Sequence, residues 1–131
     1  MNTRKLRGCL VLVGALALAS LLGGCGGPEY RAHQVDQVVK PSGGEASVLR
    51  VRVPHGAVVK AHILAFNTDS KRMEGDVVSG DPTVVEVNRV ITGPDDYAFL
   101  GLRTGKTVLR LVADGQVARE VECEVFEAQD L

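Results

Sequence analysis

The chain has 131 residues, with 15 basic and 16 acidic side chains and a formal net charge of −1 at pH 7. Without Arg4, Lys5 and Arg7, 12 basic side chains face 16 acidic ones, and this mildly acidic balance argues against nucleic acid as the partner and against a polybasic membrane-binding patch. The 107 residues from Cys25 to Leu131 are enough for one domain to bury a core unaided.

The first 24 residues have the pattern of an export signal. Arg4, Lys5 and Arg7 form a positive segment, and residues 9–22 are almost entirely apolar or small. A basic region, an apolar stretch of about 7–15 residues and a small-residue cleavage site define such a signal. The apolar run is also shorter than the roughly 18 residues of a spanning helix. The sequence therefore predicts a cleaved signal peptide over residues 1–24.

The end of that segment resembles the lipobox of bacterial lipoproteins, a branched apolar residue, two small residues and a cysteine, which are here Leu22, Gly23, Gly24 and Cys25. The resemblance implies that diacylglycerol is attached to the Cys25 thiol and that the new amino terminus is acylated too. More than one acyl chain is needed for stable anchoring. By resemblance to bacterial sorting signals, Gly26 in place of an aspartate favours the outer membrane. Whether the protein faces the periplasm or the medium stays open.

The remaining chain is expected to be one domain with short flanks. Residues 25–45, rich in Gly and Pro at both ends, are read as the lipidated cysteine and a tether. The domain is expected over residues 46–126, and residues 127–131 form an acidic tail. A first edge strand over residues 33–39, ended by Pro41, is the alternative that would move the domain start to about Val35.

Period-two alternation predicts strands through the rest of the chain. Within residues 46–53, Leu49, Val51 and Val53 alternate with Val48, Arg50 and Arg52. Residues 57–66 form the next strand, whose core face is either Val59, Ala61, Ile63 and Ala65 or Val58, Leu64 and Phe66. Turns are expected at residues 54–56, 79–82 and 93–96. No segment shows a sustained helical period.

The last strands give the clearest pattern. Asp114-Gly115 is a hairpin signal between alternating segments. In the final strand one face carries Val117, Arg119, Val121, Cys123 and Val125, and the other carries Glu120, Glu122 and Glu124. Cys123 is therefore expected to be a buried, unreactive thiol, and no intrachain disulfide is possible once Cys25 is acylated. The glutamate row is interpreted as a solvated strand face, with Arg50 and Arg52 opposite it across the sheet.

The order of these motifs resembles the bacterial immunoglobulin-like domain of group two, found in intimin- and invasin-type proteins. The matching positions are Asp81-Pro82, Val85, Val87, Gly101, Gly105, Thr107 and Asp114-Gly115. The same region also resembles the domain that precedes the ring of pilus and secretion secretins. The first resemblance implies an all-β, single immunoglobulin-like antiparallel β-sandwich, and both imply a domain that mediates contacts.

No catalytic constellation accompanies these strands. His33, His55 and His62 do not have metal-ligand spacing, and aspartates in the turns are explained by turn propensity. We therefore expect no enzyme activity, no cofactor, no metal and no small-molecule substrate. The expected protein is a monomeric, membrane-anchored binding or structural domain that contacts an envelope protein or glycan. The alternative is an accessory subunit of a pilus or secretion assembly.

Overall fold

The computed structural model describes residues 29–39, 41–91 and 93–129, which form ten strands and no helix. In chain order the strands are β1 (Tyr30–Val39), β2 (Glu45–Ala46), β3 (Arg50–Pro54), β4 (Val58–Asn67), β5 (Arg72–Met73), β6 (Gly75–Ser79), β7 (Val85–Arg89), β8 (Asp96–Gly101), β9 (Gly105–Ala113) and β10 (Gln116–Phe126).

The strands form two sheets that pack face to face. Sheet A has the order β1-β4-β8-β7, with β5 also paired to β4, and sheet B has the order β2-β3-β10-β9-β6. The expected all-β sandwich is confirmed. Neighbouring strands are antiparallel except β3 and β10, which are parallel. A parallel pair needs a long crossover connection. Here the crossover is the chain between β3 and β10, which contributes strands to both sheets.

The core lies between the inward faces of the two sheets. On β4 the alternation places Val59, Ala61, Ile63 and Ala65 inside, which decides between the two faces left open by the sequence. Phe99 on β8 and Leu109 on β9 are almost completely buried. Full burial of side chains of this size contributes about 1.5–3 kcal/mol each.

The segment expected to form one strand over residues 46–53 is instead a hairpin of β2 and β3. The Ser47 hydroxyl oxygen accepts hydrogen bonds from the amides of Leu49 and Arg50, at 3.3 and 3.2 Å, and so fixes a turn. Leu49 is 77% exposed in that turn, whereas Val51 and Val53 are buried. The predicted alternation is therefore wrong at Leu49, because serine turn chemistry interrupts the strand before it.

The final strand follows the predicted alternation only beyond a bulge. Val121, Cys123 and Val125 are buried. The register shifts between Val117 and Arg119, so Val117 pairs with Val112 and is 56% exposed. One extra residue in a strand moves the side chains before it to the opposite face. Val117 therefore does not share the inward face, contrary to the sequence pattern.

Strand β1 is longer than the edge strand expected over residues 33–39. It begins at Tyr30 and pairs with β4 from Tyr30 opposite Asn67 to Val39 opposite Lys60. His33 on this strand is only 6% exposed. The sandwich thus takes in most of the range that the sequence assigned to the tether.

Candidate contact surfaces

The predicted lipidation motif, from Leu22 to Cys25, lies outside the described residues. The first described residue is Glu29, whose carbonyl accepts a hydrogen bond of 2.9 Å from the Thr68 amide. The chain therefore enters the sandwich at the end formed by residues 68–71 and 114–115, which we call the N-terminal end. Within residues 29–39, 41–91 and 93–129, no helix is long and apolar enough to cross a membrane.

The β3–β4 turn, the β8–β9 turn and the end of β10 lie at the opposite end of the sandwich. The His55 amide donates to the Phe126 carbonyl at 2.8 Å, and the Leu102 amide donates to the Val84 carbonyl at 2.9 Å. The His55 ring adds contacts to Glu127 Oε1 at 2.9 Å and to the Leu102 carbonyl at 3.1 Å. We call this surface the C-terminal end, and these bonds tie its turns together.

A cavity of about 310 Å³ opens beside β10 at the C-terminal end. Its lining consists of Ser42, Gly43, Arg52, Phe126, Glu127, Ala128 and Gln129. The Arg52 guanidinium lies over the Phe126 ring, 4.4 Å from its centre. Gly43 has a φ of 79°, and a Cβ there would lie 3.1 Å from Phe126 Cζ. Glycine therefore lets the backbone approach the ring, and the site combines an aromatic surface with a cation and a carboxylate.

The outer face of sheet B carries the glutamate row that the sequence singled out, and each glutamate has a basic neighbour. Arg52 Nη2 lies 3.4 Å from Glu124 Oε1, and Arg110 Nε lies 3.7 Å from Glu120 Oε1. Lys106 Nζ lies 4.0 Å from Glu122. The register places Arg50 beside Glu122 and Arg52 beside Glu124, as predicted. These basic neighbours offset the negative charge of the glutamate row.

The three histidines occupy three separate environments. His55 lies at the C-terminal end, His62 Nδ1 lies 2.7 Å from Asp96 Oδ1 on the outer face of sheet A, and His33 packs against Tyr30. Among the described residues, no group of three or more histidine, cysteine or acidic side chains is arranged to hold a metal.

The turn aspartates have structural partners. Asp81 Oδ1 accepts hydrogen bonds from the Thr83 amide at 3.0 Å and from its hydroxyl at 2.6 Å, and these bonds lower the pKa of the Asp81 carboxyl. Asp95 is 8% exposed and forms an ion pair with Arg72. Asp76 does not lie in a turn as predicted but in strand β6, 3.6 Å from Arg89 Nε. The hydrogen bonds of Asp81 agree with the turn-forming interpretation.

Cys123 and His33 are buried titratable side chains with shifted pKa values. Desolvation raises the pKa of the Cys123 thiol to about 12, so this side chain is a protonated apolar group, as the sequence predicted. Desolvation and the nearby Arg119 charge lower the pKa of His33 from 6.5 to about 4. The burial of His33 was not predicted from the sequence, although its alternation with Val35 on a predicted strand was an available signal.

Comparison with known proteins gives a likeness of fold. No family model matches the chain, and no curated protein matches it. Among solved structures, domains 4 and 5 of the S-layer protein SbsC align at a TM-score of 0.52 and 16% identity. Domains 5–6 of the same protein align at 0.55 and 15%. These alignments cover 78% and 79% of this chain, but only 54% and 47% of those chains. The chain shares the fold of part of these S-layer structures.

Proposed function

We propose that this chain is a lipoprotein of the bacterial outer membrane whose β-sandwich holds a protein or glycan partner at the cell envelope. The observation that carries the proposal is the combination of a lipobox-like motif ending at Cys25 with the fold of S-layer protein domains. The immunoglobulin-like assignment made from the motifs belongs to the same proposal. It is supported by the two-sheet architecture.

A binding role fits the distribution of perturbed titratable groups better than catalysis does. Active sites gather groups with shifted pKa values in one cleft. Here Cys123 and His33 are buried, Asp81 accepts hydrogen bonds within a turn, and the Tyr97 hydroxyl donates to the Gly75 carbonyl at 3.2 Å. Each of these groups is explained by packing or by a turn.

The C-terminal end is the surface that we assign to the partner. Its turns are held by backbone hydrogen bonds, and its cavity offers an aromatic ring beside charged groups. Aromatic residues and arginine dominate the energetics of protein interfaces. By contrast, the outer face of sheet B has its charges paired internally.

The proposal is tested first by acylation. Cells that express the full chain are grown with labelled palmitate, and the protein is purified and separated on a gel. Wild-type protein and a Cys123→Ala control should carry the label, and Cys25→Ala should not. Equal labelling of Cys25→Ala would overturn the lipoprotein assignment. Membrane fractionation should place the wild-type protein with the outer membrane, and recovery only in the inner membrane would contradict that location.

Chemical cross-linking in intact cells tests the contact role. Cross-linked products should be lost in Phe126→Ala and retained in Val78→Ala, a control on β6 that is 44% exposed. Products that contain secretin or pilus subunits would favour an accessory role in such an assembly. Identical products from both variants would exclude the C-terminal end as the contact surface.

A further inference from the structure

The position of β1 limits how far the sandwich can move from its anchor. The sequence suggests a tether of about twenty residues, but strand β1 begins at Tyr30, and Glu29 is already hydrogen-bonded to Thr68. Only residues 26–28 separate Glu29 from Cys25. A fully extended chain rises at most about 3.6 Å per residue, so the Cα atoms of Cys25 and Glu29 are at most about 14 Å apart.

Because the distance between Cys25 and Glu29 is short, the direction of the strands sets the orientation of the sandwich relative to its anchor. Strand β1 runs away from the anchor beside β4, whose ten residues span about 30 Å. The β4–β5 and β9–β10 turns lie at the N-terminal end, because the Asp114 amide donates to the Glu74 carbonyl at 2.8 Å, one residue after β5. The cavity beside Phe126 lies at the opposite end.

The exposed charged side chains do not provide a strong electrostatic attraction between the sandwich and an anionic bilayer. The exposed charged side chains at the N-terminal end include four acidic and three basic ones, namely Glu29, Asp69, Glu74, Asp114, Arg31, Lys71 and Arg72. Anionic headgroups attract polybasic segments and not such a surface. The outer face of sheet B has no excess of positive charge either, because its basic side chains are paired with glutamates.

We propose that the lipidated domain stands end-on at the bilayer, with its N-terminal end facing the lipid headgroups and its C-terminal end directed away from them. This inference rests on the proposed acylation of Cys25. It deepens that proposal by assigning one end of the sandwich to the lipid surface and the other to the partner.

Energy transfer from single labels to the bilayer tests the orientation. A donor dye is attached at Asp69→Cys, in the β4–β5 turn, or at Thr104→Cys, in the β8–β9 turn; both positions are exposed. Cys123 is buried and does not compete for the dye. The full-length lipoprotein is reconstituted into vesicles of phosphatidylethanolamine and phosphatidylglycerol that contain a headgroup-labelled acceptor lipid. The Asp69→Cys dye should lie closer to the acceptor plane, by up to about 30 Å, the length of β4.

A lengthened tether provides the matched control. Twenty Gly-Ser residues inserted after Gly27 give a flexible segment with an end-to-end distance of about 25 Å. The difference between the two dyes should then fall to near zero. Equal distances with the natural tether, or a closer Thr104→Cys dye, would overturn the end-on orientation.

Mass spectrometry of the same preparation separates the two proposals. An acylated protein with equidistant dyes contradicts the orientation alone. A protein without acyl chains contradicts the proposed lipoprotein and, with it, the orientation.

Discussion

Arg52 on β3 stacks on Phe126 at the end of β10, with its guanidinium carbon 4.4 Å from the ring centre. The same guanidinium lies 3.4 Å from Glu124 Oε1. The parallel pairing of β3 with β10 produces both contacts, since it places Arg52 beside Glu124 and Pro54 beside Phe126. One arginine thereby links the charged face of sheet B to the cavity at the C-terminal end.

Arg52→Ala should lower the free energy of unfolding by about 1 kcal/mol, because it removes a cation–π contact and a partly exposed ion pair. Urea denaturation of the domain measures the change. The control is Arg50→Ala, whose side chain is 55% exposed and pairs with Glu45. It should cost less than about 0.5 kcal/mol. Equal effects of the two substitutions would show that the ring contact is not stabilising.

Cys123→Ser should destabilise the domain by about 1–3 kcal/mol, because it places a hydroxyl among Val51, Leu109 and other core residues. Cys123→Ala should lose packing but leave no polar group unpaired. Ellman's reagent should label the wild-type thiol only after denaturation, since the thiol is fully buried and its pKa is about 12. Rapid labelling of the folded domain, or a disulfide-linked dimer that a reductant converts to monomer, would contradict the inward orientation of Cys123.

Stability should depend on pH through His33. Its pKa is about 4 when folded and 6.5 when unfolded, so the unfolded chain binds a proton that the folded chain excludes. Stability is therefore fully present above pH 6.5 and falls as the pH drops towards 4, by up to about 3 kcal/mol in total. The midpoint temperature of thermal unfolding should fall between pH 7 and pH 5 in the wild type, and His33→Gln should remove this dependence on pH. A control, His55→Gln at the exposed C-terminal end, should keep it, and a slope unchanged in His33→Gln would refute the assignment.

Arg72→Ala should cost about 1–3 kcal/mol, because it leaves the carboxylate of Asp95, which is 8% exposed, without its ion-pair partner. The matched control is Arg103→Ala, whose guanidinium lies 3.8 Å from the exposed carboxylate of Asp81. Chemical denaturation should show no measurable loss for that variant. A loss in Arg103→Ala as large as in Arg72→Ala would mean that burial of Asp95 does not govern the effect.

Most strand positions could be predicted from sequence because period-two alternation and turn residues are local signals. The β9–β10 hairpin at Asp114-Gly115, the inward face of Cys123 and the turn before β8 all follow from neighbours within about ten residues. Leu49 and Val117 were misplaced because a single local feature, a serine turn or a bulge, reverses an alternation. Alternation alone does not reveal where such a reversal falls.

The candidate contact surface was less predictable than the strands. Phe126 was only the expected end of the domain, and Arg52 was noted for its glutamate partner alone. Their stacking, and the approach of Gly43 to the ring, join segments more than seventy residues apart in sequence. Local sequence patterns do not predict contacts between segments that are so far apart in the chain.

The sequence by itself determined the strand-rich class, the β9–β10 hairpin, the burial of Cys123 and the export-signal pattern, since each depends on composition or short spacing. Only the tertiary structure decided that β3 pairs in parallel with β10, that β1 begins at Tyr30 and that the cavity lies at the end opposite the chain entry. The physical reason is that strand pairing is set by contacts between distant segments. Each of those segments offers the same alternating pattern to several possible neighbours.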